Sequence, residues 1–145
     1  MTLGEILYEI PSTKYERSFS DSIWFCPRLF SSIDVDQFEK LLSAVLLERS
    51  IVFVGKQSCV SAAILGLHSL LYPFKWCLAL VPILPHPLIE MIEAPLPLLV
   101  GITYREYRDL SLSQCERDSK IWVFLETGNI VWNKDGFPLS PFSIN

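Results

Sequence analysis

The sequence has no Cys-x-x-Cys pair and only two histidines, His68 and His86, so a zinc site would lack ligands. Its four cysteines, Cys26, Cys59, Cys77 and Cys115, are widely spaced, most of them in or beside apolar segments where a thiol behaves as a small hydrophobe. Reduced thiols of this kind fit the cytosol. Charge is also scarce, at 19% of residues, and twelve Lys and Arg against sixteen Asp and Glu leave a net charge of −4. That balance excludes a general nucleic-acid or anionic-membrane binder and leaves room only for a local basic patch. No basic leader with a small-residue cleavage site follows Met1, so export is not expected.

What the chain does have is apolar residues, half of its 145 positions. This suffices for one core that buries roughly two thirds of the unfolded surface. The stretch from Gln57 to Phe74 runs 18 residues without a formal charge, the length at which a membrane span must be considered. It contains Gln57, three serines, His68 and Pro73, and the next uncharged stretch, Trp76 to Ile89, contains Pro82, Pro85 and Pro87. Prolines there would leave helix carbonyls unpaired in lipid, so both stretches read as protein interior, with no transmembrane segment.

Residues Asp34 to Leu47 predict a helix, with Phe38, Leu41, Leu42, Val45 and Leu46 on one stripe. Asp34 is its N-cap, with Gln37 three positions on and Ile33 and Phe38 placed as a hydrophobic staple. Ser50 to Val54 then reads as a strand buried on both faces and ended by Gly55. Ser58 to Leu71 predicts a second helix, capped by Ser58 and closed by Pro73. Cys77 to Val81 repeats the strand signal, Leu84 to Ile92 suits a short helix, and Leu98 to Ile102 is a third apolar strand. This βαβαβ order requires parallel strands, with these three at the centre of the sheet. The expected fold class is α/β, a mainly parallel central sheet flanked by helices on both faces, with an extra C-terminal strand pair. That pair is Ile121 to Leu125 and Ile130 to Trp132, joined by a turn containing Gly128. Tyr104 to Asp118 suggests one short helix or loop, and Asp135-Gly136 a further turn. The first 33 residues offer a short apolar segment, Leu3 to Ile10, a polar loop, and a strand candidate around Ile23 to Phe25.

Covalent chemistry finds no support. Gly55-Lys56-Gln57-Ser58 joins a strand to a helix, but a phosphate loop needs Gly where Ser50 stands and Ser or Thr where Gln57 stands. No Gly-x-Ser-x-Gly pentapeptide occurs. His68 beside Leu67 and Leu71 reads as a packing residue, His86 between two prolines as a turn former, and Glu90 with Glu93 as a solvated helix face.

Three motifs carry a resemblance. Leu46-Leu47-Glu48-Arg49-Ser50-Ile51-Val52-Phe53-Val54-Gly55 resembles the helix-to-strand entry of the central DENN domain. Leu70-Leu71-Tyr72-Pro73-Phe74-Lys75-Trp76 resembles that family's Leu-Tyr-Pro-aromatic-x-Trp signature. Pro82-Ile83-Leu84-Pro85 and the segment from Glu93 to Ile102, with Pro95, Pro97 and Gly101, resemble its paired proline signatures. On this resemblance residues 1–33 are an N-terminal segment ending an upstream lobe, 34–135 the central DENN lobe and 136–145 a tail. Arg49, Tyr72, Pro73, Trp76, Pro82, Pro85, Pro95, Pro97 and Gly101 are then structural: Tyr72 and Trp76 pack a helix end on the sheet, and Gly101 permits a change of direction.

The resemblance implies a guanine-nucleotide exchange factor, or part of one, for a Rab-type small GTPase in membrane traffic. It implies no cofactor, no metal, no nucleic acid, and a cytoplasmic location with recruitment to vesicle or endosomal membranes through the partner. The alternative is a non-catalytic GTPase- or scaffold-binding module; a small-molecule enzyme rests on architecture alone. Loops beyond the carboxyl ends of parallel strands are the expected grip, which selects Lys56, Gln57, Arg105, Glu106 and Arg108.

Overall fold

The computed structural model describes residues 14–133, with side chains from residue 19 onward. Leu3 to Ile10, the tail 136–145 and the Asp135-Gly136 turn lie outside the described residues.

The first element corrects an expectation. Lys14–Ser32 is one α-helix, α1, and includes the segment read as a strand around Ile23 to Phe25. Its apolar residues occupy two faces, Leu29 being buried while Phe19, Ile23, Trp24 and Phe30 are exposed. With Pro27 inside as well, the helical period is blurred in the sequence. Helix α2 follows at Val35–Leu46, and the Asp34 carboxylate accepts the Gln37 N–H at 2.8 Å, as expected of an N-cap. At its other end Arg49 N–H donates to Ala44 O at 3.0 Å and Glu48 N–H to Val45 O at 2.9 Å. This is a Schellman closure with Glu48, at φ +54°, where glycine usually stands.

Strand β1, Ile51–Val54, is fully buried. Helix α3 spans Gln57–Leu70, one residue earlier than expected, so Lys56 and not Ser58 is its N-cap. Val60, Ala63, Ile64 and Leu67 on one side of α3 are buried against the sheet, and on its other side α1 packs closely. A β-carbon at Gly66 would lie 3.0 Å from the Phe25 carbonyl carbon of α1. Cys26 Sγ donates to Gly66 O at 3.8 Å, and burial pushes its thiol pKa above the ordinary value against a hydrogen bond from Ser69. Packing on two sides explains the uncharged composition that raised a membrane span. No helix among the described residues is long and apolar enough to cross a membrane.

The remaining elements are β2 (Ala79–Val81), a 3₁₀ helix (His86–Glu93), β3 (Leu98–Ile102), α4 (Tyr104–Asp109), α5 (Gln114–Asp118), β4 (Ile121–Phe124) and β5 (Asn129–Val131). Two short helices thus occupy the region expected to hold one, each opened by a capping box, Thr103 with Glu106 and Ser113 with Glu116.

The five strands pair in the order β2-β3-β1-β4-β5. All neighbours are parallel except the antiparallel pair β4 and β5. The mainly parallel sheet with a C-terminal pair is as expected, but β2 lies at an edge, half-buried, and β4 takes the central place beside β1. Alternation along the strands divides the core in two. Ile51, Phe53, Leu99, Ile121, Val123 and Ile130 face α2 and α3. Val52, Val54, Leu98, Val100, Ile102 and Trp122 face the side covered by the 3₁₀ helix and α4. Helices therefore lie on both faces.

Gly101 has a different reason from the one expected. It sits inside β3, and a β-carbon there would overlap Val60 Cγ1 and the Pro82 carbonyl oxygen. Its smallness lets α3 approach the sheet; it is not a turning point. Tyr72 also departs from expectation, being 48% exposed, whereas Trp76 packs against the core and its Nε1–H donates to Ala79 O at 3.1 Å. His68 is exposed instead of packed, and Cys77 and Cys115 are exposed.

Candidate functional site

Three neighbouring strands, β3, β1 and β4, end together in matched register, with Ile102, Val54 and Phe124 side by side. Backbone bonds extend the sheet one residue further. Gly55 N–H donates to Ile102 O at 3.2 Å and Leu125 N–H to Val54 O at 3.0 Å. The chain leaves these strands through Lys56, Thr103 and Glu126, so three loops distant in sequence form one edge.

Each loop turns immediately into ordered structure. After β1, Lys56 becomes the N-cap of α3 with no side-chain cap bond, which leaves the positive end of that helix toward the edge. Lys56 and Gln57 are both exposed. After β3, Thr103 N–H donates to Glu106 Oε2 at 3.0 Å, closing the capping box of α4. Glu106 is thereby committed to holding its own helix, while Arg105 and Arg108 remain exposed. Lys56 and Arg105 thus arrive at the same edge from separate loops, and Arg108 lies one turn further along α4.

Tyr104 couples two of these loops through charge, and nothing in the local sequence singled it out. It lies near Glu126, past the end of β1 from the β3 side to the β4 side, close enough for the carboxylate to act on the phenol. Burial and then the Glu126 carboxylate push its phenol pKa up. Below the edge, Tyr107 stacks edge-on against Trp122 and Phe124 at 5.4 and 5.2 Å between ring centroids. The Arg117 guanidinium lies over the Tyr107 ring at 5.5 Å and donates to Leu110 O at 3.1 Å. This aromatic floor fixes α4, and with it Arg105. Ser/Thr-x-x-Glu spacings at Thr103 and Ser113 were the available sequence signal for these two helices.

The signature residues do not gather at this edge as a group. Arg49, Tyr72, Pro73, Trp76, Pro95 and Pro97 precede β1, β2 and β3 at the opposite, amino end of the sheet. The Tyr72-Pro73 peptide bond is cis, and Ser50 Oγ donates to Leu96 O at 3.2 Å, joining the entries of β1 and β3. Pro82 and Pro85 follow β2, and Pro85 caps the 3₁₀ helix. No group of three or more His, Cys, Asp or Glu that could hold a metal occurs among the described residues. The edge can supply charge, hydrogen bonds and shape to a macromolecular surface.

Comparison with known proteins agrees with the sequence motifs. A family model described as the DENN (AEX-3) domain matches residues 10–127. DENN domain-containing protein 2B of Mus musculus is 37% identical over 75 residues, covering 51% of this chain and 7% of that protein. DENN domain-containing protein 1A of Homo sapiens is 33% identical over 95 residues, covering 65% of this chain and 9% of that protein. Elicitor of plant defense protein 1 of Gibberella zeae is 34% identical over 103 residues, covering 70% and 9% respectively. The chain therefore spans less than a tenth of the length of each of these relatives.

Proposed function

The chain belongs to the DENN domain family, and from that premise we propose that it binds a Rab-type small GTPase and acts as a guanine-nucleotide exchange factor, or as part of one, in membrane traffic. The observation that carries this reading is the convergence of Lys56 and Arg105, from separate loops, on one exposed edge of the sheet where β3, β1 and β4 end in matched register.

Exchange needs no bond to be made or broken in the factor. It needs linkage: a surface that binds the nucleotide-free GTPase more tightly than the loaded form weakens nucleotide binding by the same ratio. A rigid edge does this by holding the partner's switch segments away from the phosphates and magnesium. Lys56, Arg105 and Arg108 would pair with acidic groups of that partner, Gln57 would hydrogen-bond to it, and Glu106 would contribute by keeping α4 in place. The site of action is the cytoplasm, with the GTPase supplying attachment to vesicle or endosomal membranes.

Release of a fluorescent GDP from a panel of purified Rab GTPases tests this. Acceleration of release from at least one member, dependent on chain concentration, is expected. Binding without acceleration would instead support a non-catalytic GTPase- or scaffold-binding module. Absence of both binding and release would remove the GTPase reading for this chain.

A further inference from the structure

At the amino end of the sheet, away from the edge just described, the C-terminus of α2 and the segment before β2 enclose a pocket of about 170 Å³. Its floor is Val45 and Leu71, both buried. Its walls are Leu46, Phe74 and Trp76, and Leu46 and Phe74 leave 39% and 67% of their surfaces exposed. A volume of this size has room for one large side chain, which would meet apolar surface at Val45, Leu46, Leu71, Phe74 and Trp76 and polar surface at the rim.

The walls are fixed before any ligand arrives. The Schellman bonds at Glu48 and Arg49 set the end of α2, Phe74 N–H donates to Leu71 O at 2.7 Å, and the Trp76 indole is held by Ala79 O at 3.1 Å. The pocket also carries one charge of each sign, Glu48 and Lys75, both exposed and neither in an ion pair among the described residues. Glu48 holds this place at φ +54°, where glycine would be the less strained residue. A side chain kept against backbone preference points to use of the side chain itself.

We propose that this pocket recognises a short extended peptide that inserts one leucine-sized side chain and carries a basic residue against Glu48 and an acidic residue against Lys75. The apolar group supplies desolvation and the two charges supply selection, the usual division in peptide recognition by a preformed groove. The site is independent of the GTPase edge, because it lies at the other end of the strands.

The test titrates the ¹⁵N-labelled full chain with capped heptapeptides that have a central leucine and flanks drawn from Lys, Glu and Ala. The Trp76 indole N–H signal, assigned by loss in Trp76→Phe, is the readout. Mixed-charge peptides should move it saturably, and all-alanine flanks should bind about two- to fivefold more weakly, the size of exposed charge pairs. Glu48→Gly should weaken the lysine-bearing peptides by about the same factor without lowering the melting temperature, since it relieves backbone strain. Leu46→Asp, at a partly exposed wall position, should abolish the response. No saturable shift at millimolar peptide, equal binding irrespective of flanking charge, or unchanged affinity in Glu48→Gly would each overturn the proposal.

Discussion

Tyr104 and Glu126, at the ends of two strands that are not neighbours, meet across the end of the strand between them. Burial, and after it the Glu126 carboxylate, hold the Tyr104 phenol pKa above that of a free tyrosine. A group whose folded pKa is raised contributes stability in full below its unfolded value, about 10 for tyrosine, and loses it as pH rises through the folded value.

Glu126→Gln removes the neighbouring charge and leaves burial, the larger cause. The Tyr104 titration followed by tyrosinate absorbance, with Tyr104→Phe as the reference, should therefore move down only part of the way. A titration unmoved by the substitution would show that the carboxylate does not act on the ring.

Gly101 and Val60 set the distance between α3 and the sheet, because no β-carbon fits between Gly101, Val60 Cγ1 and the Pro82 carbonyl. Gly101→Ala should cost about 1–3 kcal/mol, the usual range for overpacking a core. Adding Val60→Ala removes one of the two obstructions and should recover part of that loss after allowing for its own cavity. Urea unfolding of the single and double variants measures the coupling. Strict additivity would mean that the contact with Val60 is not what excludes a side chain.

Glu48 closes α2 in the left-handed region, which costs an L-residue roughly 1–2 kcal/mol relative to glycine. Glu48→Gly should raise the unfolding free energy by about 1 kcal/mol, net of glycine's greater entropy when unfolded. Glu48→Val, β-branched at the same φ, should lower it. Chemical denaturation of both variants checks the sign, and a stabilised valine variant would contradict the assigned backbone conformation.

Lys56 and Arg105 are exposed and make no contact on which the core depends. Lys56→Glu and Arg105→Glu should leave thermal unfolding within about 0.5 kcal/mol of the parent, as surface changes generally do. GTPase association should slow by about tenfold when both are reversed, with a flatter dependence on ionic strength, the signature of lost steering charge. Stopped-flow association at two salt concentrations separates this from a folding defect. Arg108→Glu is expected to have the smaller effect, being a turn further along α4.

Much of this architecture was written locally. The stripe of α2 and its Asp34 cap, the apolar runs of β1 and β3, and the alternation of strand and helix from β1 to β3 needed only nearest-neighbour chemistry. The βαβ connections then required those strands to be parallel, because a helical crossover returns the chain in the same direction. The five candidate contact residues follow strands whose order was readable in the sequence, Lys56 and Gln57 after β1 and Arg105, Glu106 and Arg108 after β3. The sequence could not show that Glu106 is occupied in capping Thr103, which depends on where α4 begins.

The amino-acid sequence alone thus determined the kinds of elements, their order and the motifs of the family, since propensity, periodicity and capping act over a few residues. Only the tertiary structure decided that β4 would lie beside β1 and send β2 to the edge, that α1 would cover α3, and why position 101 must be glycine. The physical reason is range: each of these depends on surfaces meeting across tens of residues of chain, and no local signal encodes which surface will arrive.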